Sequence, residues 1–364
     1  MLLASNSTIS VIRNETAPGQ DNWSCIFVNS IGERISKLCV YCVVLLGSFF
    51  GNIFIILIVY KHRDLRKTIN YFIVNMTLSD LVFPLILLPL KITEVVTDSW
   101  HWRVSGILGS ILCKLSYFAS SVSLFVSTQS LVWIAIDRFV AVVFPMKLGL
   151  ISTKIRTIAI ISTWIFAGVL NIPWLLTSKL LERGNMRFCV VIYPEEVFPN
   201  QEAIAAYTWL HVTFVSIAPL FVITVLYSAI AISLKRQNRA LSDSAPSLQR
   251  HSLKKRRQAI QMAVVIVVFF YIVAIPQTLV YFTSQLGRSW PCAFLRPSIY
   301  FIVNFALCSS SVVNPIICLS FVGSYRRGLR NILCSCCRKR NNKVTRCEQI
   351  TLRRIKHIPD GNCG

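Results

Sequence analysis

Charged residues are scarce in this chain. Asp, Glu, Lys and Arg make up 15% of its 364 residues, whereas 54% of the residues are hydrophobic. Soluble globular domains carry about 25% charged residues, so the composition argues against one. The six segments that lack all four charged residue types are Leu38–Tyr60, Leu115–Ile136, Thr157–Ser178, Ala203–Leu234, Gln258–Gly287 and Pro297–Tyr325. Each reaches the roughly 20 residues that a helix needs to cross a bilayer.

A seventh segment lacks charge except at one position. Thr68–Leu90 is equally apolar but contains Asp80. The count predicts an all-α membrane protein that folds as a seven-transmembrane helix bundle. We number its spans 1 to 7 in chain order, so that Thr68–Leu90 is span 2.

Acidic residues are the scarcer of the two charge signs, 15 against 38 basic ones. Of those 38, 27 fall in residues 61–68, 137–156, 235–257 and 326–364, which lie on one side of a seven-span chain. Basic loops stay in the cytoplasm, so we expect an extracellular amino terminus and a cytoplasmic carboxyl terminus. Anionic membrane lipids explain the positive charge better than nucleic acid does.

The chain begins without a charged start followed by an apolar core, so we expect span 1 to act as its own insertion signal. Residues 1–35 form the predicted extracellular tail, with glycosylation sequons at Asn6, Asn14 and Asn22. The thirteen cysteines are too scattered for a disulfide-rich miniature fold, and no Cys/His spacing indicates a metal site.

The sequence after span 7 alternates basic and apolar residues over 322–333, which predicts a short amphipathic helix on the inner leaflet. This helix is the last element of a predicted receptor domain, residues 36–333. Residues 334–364 form a predicted basic cytoplasmic tail. Cys334, Cys336 and Cys337 follow the helix directly and suit palmitoylation; unmodified cytosolic thiols are the alternative.

Polar residues inside the spans are costly and mark functional sites. Together with several glycine, tryptophan and proline residues, they follow an order along this chain that resembles the rhodopsin-like (class A) G-protein-coupled receptors. The residues that carry the resemblance are Gly51-Asn52, "LSDL" at Leu78–Leu81, "IAIDRF" at the end of span 3, Trp164, Pro219 with Tyr227, Pro276, and Asn314-Pro315.

The resemblance implies a receptor that binds an extracellular ligand and activates a heterotrimeric G protein, with arrestin as a further partner and no enzyme activity. It also implies a disulfide between Cys113 and Cys189. Cys25 and Cys292 resemble a second pair, with free thiols as the alternative.

A sodium site is implied in the middle of the bundle, and bound sodium would favour the inactive arrangement. Its residues are Asp80, Ser127, Ser311 and Asn314. Their oxygens suit a hard cation. No other cofactor is expected.

An activation switch is implied at the inner end, where an Asp137–Arg138 ion pair locks the resting state; a snorkelling interfacial pair is the alternative. Prolines provide hinge points in the helices. The remaining switch residues are Tyr227, Phe270, Pro276, Pro315 and Cys318.

Two positions depart from the pattern of the resembled family. Ala274 replaces a tryptophan, and Cys318 replaces a tyrosine whose hydroxyl links to the tyrosine of span 5. A thiol is a weak donor, so we expect that link to be weaker or absent and basal activity to be low.

The ligand class is narrowed by exclusion. Ser120 stands where amine receptors carry an aspartate, and Cys308 stands where opsins carry the retinal lysine. The amino-acid sequence of span 3 is most similar to that of neuropeptide receptors of the tachykinin and neuropeptide Y type, and this resemblance implies a short peptide ligand. The candidate pocket residues are Lys91, Glu94, Ser120, Gln277, Tyr281 and Asn304.

Three alternatives stay open at this point. The first is a receptor for a non-amine small molecule or lipid, for which Ala274 leaves space. The second is a seven-span transporter or channel, against which the ordered motifs argue. The third is a receptor that does not signal.

Overall fold

The computed structural model describes residues 9–13, 23–27, 29–99, 101–144, 151–184, 186–240, 297–321 and 323–333, together with eleven residues between 261 and 279. Within these residues, six helices are long and apolar enough to cross a membrane. They are Ile31–Lys61, Thr68–Thr97, Gly106–Val143, Thr153–Thr177, Gln201–Gln237 and Ile299–Ser320. They correspond to spans 1 to 5 and span 7. The described residues of span 6 are helical, and the rest of that span lies outside the described part of the chain.

Span 1 begins at Ile31 and takes in the last five residues of the segment 1–35 that the sequence assigned to the tail. The start is fixed by a capping box. The Ser30 hydroxyl accepts from the backbone N–H of Glu33, and the Glu33 carboxylate accepts from the backbone N–H of Ser30. These two bonds satisfy N–H groups that otherwise have no partner at a helix start.

Spans 2 and 5 are each interrupted by one π-helical turn. Span 2 consists of Thr68–Asp80, a π turn at Phe83–Leu87 that contains Pro84, and Leu88–Thr97. Span 5 consists of Gln201–Val212, a π turn at Thr213–Ile217, and Ala218–Ala240, which contains Pro219. A proline lacks the N–H that would continue the helix, and single π turns accommodate such breaks, often at functional sites.

Span 3 lies at the centre of the bundle and packs against spans 2, 4 and 5. Span 1 packs against span 2 and against span 7, which runs over Pro297–Phe321. A Cβ added at Gly51 would lie 2.8 Å from the Cβ of Pro315, and one added at Gly47 would lie 2.8 Å from a methyl of Val312. The two glycines therefore allow span 7 to approach span 1 closely.

Two antiparallel hairpins lie outside the bundle. Ile9–Arg13 (β1) pairs with Trp23–Phe27 (β2), and Ser178–Arg183 (β3) pairs with Met186–Val191 (β4). The all-α prediction is confirmed for the bundle, while the hairpins were not predicted. Segments of five or six residues without strict alternation of apolar and polar residues carry little strand signal.

The predicted amphipathic helix is present over residues 323–333. Tyr325 and Ile332 are buried beneath it, whereas its arginines are exposed. A Cβ at Gly328 would lie 2.6 Å from a methyl of Ile58, so this glycine lets the helix contact the inner end of span 1.

Candidate functional site

The middle of the bundle holds one buried carboxylate, Asp80, which is 2% exposed. The Ser127 hydroxyl of span 3 donates to Asp80 Oδ1 at 2.8 Å, and Asn314 Nδ2 of span 7 donates to Asp80 Oδ2 at 2.8 Å. Three of the four residues assigned to the sodium site are therefore in direct contact. One carboxylate joins three helices.

Ser311, the fourth residue of that set, bonds to other partners. Its hydroxyl donates to the Cys308 carbonyl at 2.7 Å and accepts from Ser48 of span 1 at 2.8 Å. Asn52 Nδ2 donates to the Ser311 carbonyl at 2.9 Å and to the Ser48 carbonyl at 2.8 Å. Ser48 and Asn52 thus tie span 1 to span 7, and of the two only Asn52 stood out in the sequence, as part of a motif.

The chemistry of this region fits a small hard cation, because the Asp80 carboxylate lies in an apolar interior beside the Ser127 hydroxyl, which is itself 3.0 Å from the Ser79 hydroxyl. Asn52 Oδ1 is buried and has no hydrogen-bond partner among the described residues. A buried acceptor without a donor is unusual and is satisfied by a positive ion or a donor that reaches it. These oxygen atoms are therefore compatible with a sodium ion bound beside Asp80.

At the inner end, the predicted ion pair is formed. Arg138 donates to Asp137 Oδ2 through Nε at 3.2 Å and through Nη2. Both side chains are largely buried, with 21% and 13% of their surfaces exposed. The arginine is therefore held by its neighbour in the chain.

The tyrosine link of the resembled family is absent here. Cys318 is fully buried in the inner core, and Tyr227 Oη is buried without a hydrogen-bond partner among the described residues. Both observations agree with the expectation that a thiol at this position forms no strong link to span 5. Pro276 is described but Phe270 is not, so the prediction for Phe270 lies outside the described residues.

A different tyrosine makes a buried contact at the same end. The Tyr325 hydroxyl, in the amphipathic helix, donates to Asn70 Oδ1 of span 2 at 3.0 Å. Asn70 Nδ2 in turn donates to the Leu65 carbonyl in the loop between spans 1 and 2, at 2.6 Å. Tyr325 is 1% exposed. Sequence reasoning missed this pair, because nothing in the spacing joins positions 70 and 325.

The outer end is held by a disulfide between Cys113 and Cys189, with Cα atoms 5.6 Å apart. It fastens strand β4 to the start of span 3, as the resemblance implied. The backbone N–H of Trp102 also donates to the Arg187 carbonyl at 2.7 Å. The prediction of a second pair stays open, since Cys292 lies outside the described residues.

Two of the predicted pocket residues form an ion pair. Lys91 Nζ lies 3.0 Å from both carboxylate oxygens of Glu94 and 2.7 Å from the hydroxyl of Tyr300. The Tyr300 hydroxyl also donates to Glu94 at 3.3 Å. The cluster joins span 2 to span 7, and sequence reasoning had not included Tyr300.

Two other predicted pocket residues form hydrogen bonds within their own helices. Ser120 and Asn304 donate to backbone carbonyls of their own helices, at Ser116 and Tyr300. Gln277 and Tyr281 lie outside the described residues, as do Asn6, Asn14, Asn22, Cys334, Cys336 and Cys337.

A second polar cluster was not predicted. His211 Nε2 of span 5 lies 3.3 Å from the Ser121 hydroxyl of span 3 and 3.2 Å from Asn171 Oδ1 of span 4. Next to it, the rings of Tyr117 and Trp174 stack with centroids 5.8 Å apart. A lone histidine in an apolar segment gives no signal of these partners in the sequence.

Together these features define a membrane helix bundle with polar clusters at its outer end, its middle and its inner end. A model of the seven-transmembrane receptors of the rhodopsin family matches residues 51–317. The chain belongs to this family. It is therefore a multi-pass membrane receptor, and the prediction that it is not an enzyme is confirmed.

The most similar curated relatives include three peptide receptors. The chain is 26% identical over 292 residues to the tachykinin-like peptides receptor 86C of Drosophila melanogaster, covering 79% of this chain and 56% of that receptor. It is 25% identical over 327 residues to the QRFP-like peptide receptor of Branchiostoma floridae, covering 88% and 82%. It is 27% identical over 300 residues to neuropeptide FF receptor 2 of Rattus norvegicus, covering 79% and 70%. The chain thus spans about half the length of the Drosophila relative and more of the other two.

Proposed function

We propose that this chain is a plasma-membrane receptor that binds a short extracellular peptide and, in response, promotes nucleotide exchange on a heterotrimeric G protein. The observation that carries the proposal is the closed Asp137–Arg138 pair at the inner end of a bundle whose family is established. An arginine held by its neighbour can be released to meet a protein partner when the helix ends separate.

The peptide ligand is supported by the printed names of the relatives, which are receptors for tachykinin-like, QRFP-like and neuropeptide FF peptides. The outer cluster of Lys91, Glu94 and Tyr300 adds charged and aromatic groups that suit a peptide. The names do not extend to one particular peptide for this chain.

The proposal includes the orientation of the chain in the membrane. The amino terminus lies outside the cell and the basic carboxyl-terminal tail lies inside, supported by the distribution of Lys and Arg. Sodium binds beside Asp80 and stabilises the resting arrangement, and arrestin binds the activated inner end.

The test is expression of the full chain in cells, exposure to a library of amidated and free-acid short peptides, and measurement of calcium and cyclic AMP. A peptide response that Arg138→Ala abolishes, at equal surface expression, supports the proposal. If no peptide acts, or if the response survives Arg138→Ala unchanged, the proposal fails.

A further inference from the structure

Buried polar atoms without a hydrogen-bond partner differ in kind between the middle and the outer end of the bundle. In the middle, the atom is an acceptor, Asn52 Oδ1. At the outer end, Arg187 Nε and Trp102 Nε1 are buried and have no partner among the described residues. A guanidinium and an indole N–H can only donate. These two groups therefore require an acceptor.

Arg187 and Trp102 are neighbours in space. The backbone N–H of Trp102 donates to the Arg187 carbonyl at 2.7 Å, so the loop between spans 2 and 3 runs beside strand β4. Residues that are paired across neighbouring extended segments place their side chains on the same face. The two donors therefore project to one side of β4, where one small group can contact both.

This face of the hairpin lies against the start of span 3. Arg187 and Cys189 are two residues apart on β4, so their side chains share a face, and Cys189 forms the disulfide to Cys113. Leu180, which pairs with Cys189 from β3, lies 3.2 Å from a Cβ added at Gly109. The Arg187 side chain therefore extends toward the helix bundle, next to a covalent link that keeps the hairpin in place.

The positive charge of Arg187 is not compensated within the described part of the chain. No carboxylate of the described residues lies within ion-pair distance of its guanidinium. Glu182 is opposite Arg187 on β3, but its side chain is exposed. A charge that is partly removed from water is costly unless it is paired. The arrangement therefore favours an anion over water or a neutral carbonyl.

We propose that Arg187 and Trp102 bind one small anionic group at the outer end of the bundle, either a free chloride ion or the carboxylate of an extracellular peptide. The guanidinium provides charge-assisted hydrogen bonds, and the indole N–H adds a neutral one. His101 is not assigned to the site, because its ring lies against that of Phe188, the neighbour of Arg187 on the other face of β4, with centroids 6.5 Å apart. Only the peptide source rests on the proposed function.

The test measures thermal unfolding of the purified full chain in nanodiscs as chloride replaces gluconate, a bulky anion, at constant sodium and constant ionic strength. Constant sodium leaves the proposed site beside Asp80 unaffected. The midpoint should rise with chloride, because a ligand that binds only the folded state stabilises it. Arg187→Gln should weaken the apparent chloride affinity roughly tenfold or more, and Trp102→Phe roughly threefold, since a charged hydrogen bond contributes more than a neutral one.

Lys179→Gln is the matched control, because Lys179 is an exposed basic residue on the same hairpin. It removes the same charge and should leave the chloride affinity unchanged. Equal losses from Lys179→Gln and Arg187→Gln would show diffuse attraction and overturn the site.

The midpoint in gluconate alone shows whether each variant folds. If Arg187→Gln does not fold, the test uses Trp102→Phe and Arg187→Lys, which keeps the charge but loses the planar guanidinium. Unaltered chloride affinity in both of these variants would also overturn the site.

N-acetylglycine separates the two sources, because it carries the carboxylate of a peptide carboxyl terminus, and its neutral amide serves as the control. A midpoint that rises with chloride assigns the site to the free ion. A midpoint that rises only with N-acetylglycine assigns it to a peptide carboxylate. A chain that responds to neither anion, or whose response survives Arg187→Gln, has no anion site here. A peptide response in cells is independent of that outcome, so failure of the site and failure of the proposed function are distinguishable.

Discussion

The middle and the inner end of the bundle contain the same kinds of polar residue but differ in how these are paired. In the middle, both oxygens of Asp80 accept hydrogen bonds from Ser127 and Asn314, which lie on different helices. At the inner end, Cys318 makes no hydrogen bond to the described residues, and the hydroxyl of Tyr227 is buried without a partner. Besides the Asp137–Arg138 pair, a buried polar contact at that end is made by Tyr325, on the helix that follows span 7.

The two regions therefore differ in how far the resemblance to the family predicts their contacts. The middle depends on side chains that the family motifs specify, so its contacts follow from the motifs. At the inner end, Cys318 stands where the resembled family has a tyrosine, and the buried Tyr325 follows seven residues later. Its hydrogen bond ties the end of span 7 to spans 1 and 2 instead of reaching toward span 5.

Asp80→Asn should give the largest effect, because it removes the only carboxylate in the middle of the bundle. We expect the sodium dependence of agonist binding to disappear, since the neutral amide provides no charge to bind a cation. Radioligand displacement with and without sodium chloride measures it. Ser162→Ala is the control, because Ser162 lies on span 4 outside the candidate pocket and its hydroxyl donates to the Ala159 carbonyl of its own helix. Unchanged sodium dependence in Asp80→Asn would reject the cation site.

Gly51→Ala tests whether the middle depends on the close approach of spans 1 and 7. The added methyl would lie 2.8 Å from the Cβ of Pro315, so a backbone shift is needed. Overpacking of this kind costs about 1–3 kcal/mol, and the midpoint of thermal unfolding should fall. Gly168→Ala is the control, because nothing lies within 4 Å of its added Cβ. Equal stability of the two variants would contradict the close approach.

Each region could be predicted from the sequence only in part. The contacts of Asp80 in the middle and the Asp137–Arg138 pair at the inner end follow from the resemblance, whereas the bond between Tyr325 and Asn70 does not. Asp80, Ser127 and Asn314 were grouped by resemblance, and the structure brings these three together. Ser311 was placed in the same group, yet its hydroxyl accepts from Ser48 and donates to the Cys308 carbonyl, because a helical serine can donate to the carbonyl three residues earlier.

Contacts between distant positions account for what the sequence missed. Tyr325 and Asn70 are 255 residues apart, and neither periodicity nor a family motif pairs them. The cluster of His211, Ser121 and Asn171 was missed for the same reason, since it needs the rotation of three helices about their axes. Hydropathy locates a span but does not determine which of its polar residues faces which neighbour.

Tyr325→Phe removes the hydrogen bond from Tyr325 to Asn70 at the inner end and leaves the ring in place. The bond occurs together with the closed Asp137–Arg138 pair, so its loss should weaken the resting arrangement. A neutral hydrogen bond contributes about 0.5–1.5 kcal/mol, and ligand-independent nucleotide exchange should therefore rise roughly two- to tenfold. Exchange of labelled guanine nucleotide on reconstituted G protein measures it.

Asn70→Ala should raise exchange by at least a similar factor, because it removes the bond to Tyr325 together with the bond to the Leu65 carbonyl. The double variant should add little to Asn70→Ala alone, since that substitution already breaks the bond to Tyr325. A fall in unfolding temperature without any rise in basal exchange would show that the contact serves stability alone. Additive effects of the two substitutions would contradict the pairing.

Tyr227→Phe should give the smallest effect. It removes the hydroxyl of the other tyrosine at the inner end of the bundle, for comparison with Tyr325→Phe. Its hydroxyl has no partner among the described residues, so the phenylalanine removes a buried polar atom without breaking a hydrogen bond. Such a change is nearly neutral or slightly stabilising, and we expect basal exchange and stability to shift by less than about 0.5 kcal/mol. The two tyrosine variants differ from their parents by one oxygen atom each, so the contrast isolates the hydrogen bond. A large loss of agonist-stimulated exchange in Tyr227→Phe would mean that the activated receptor gives this hydroxyl a partner, and that the link to span 5 survives the replacement of tyrosine by Cys318.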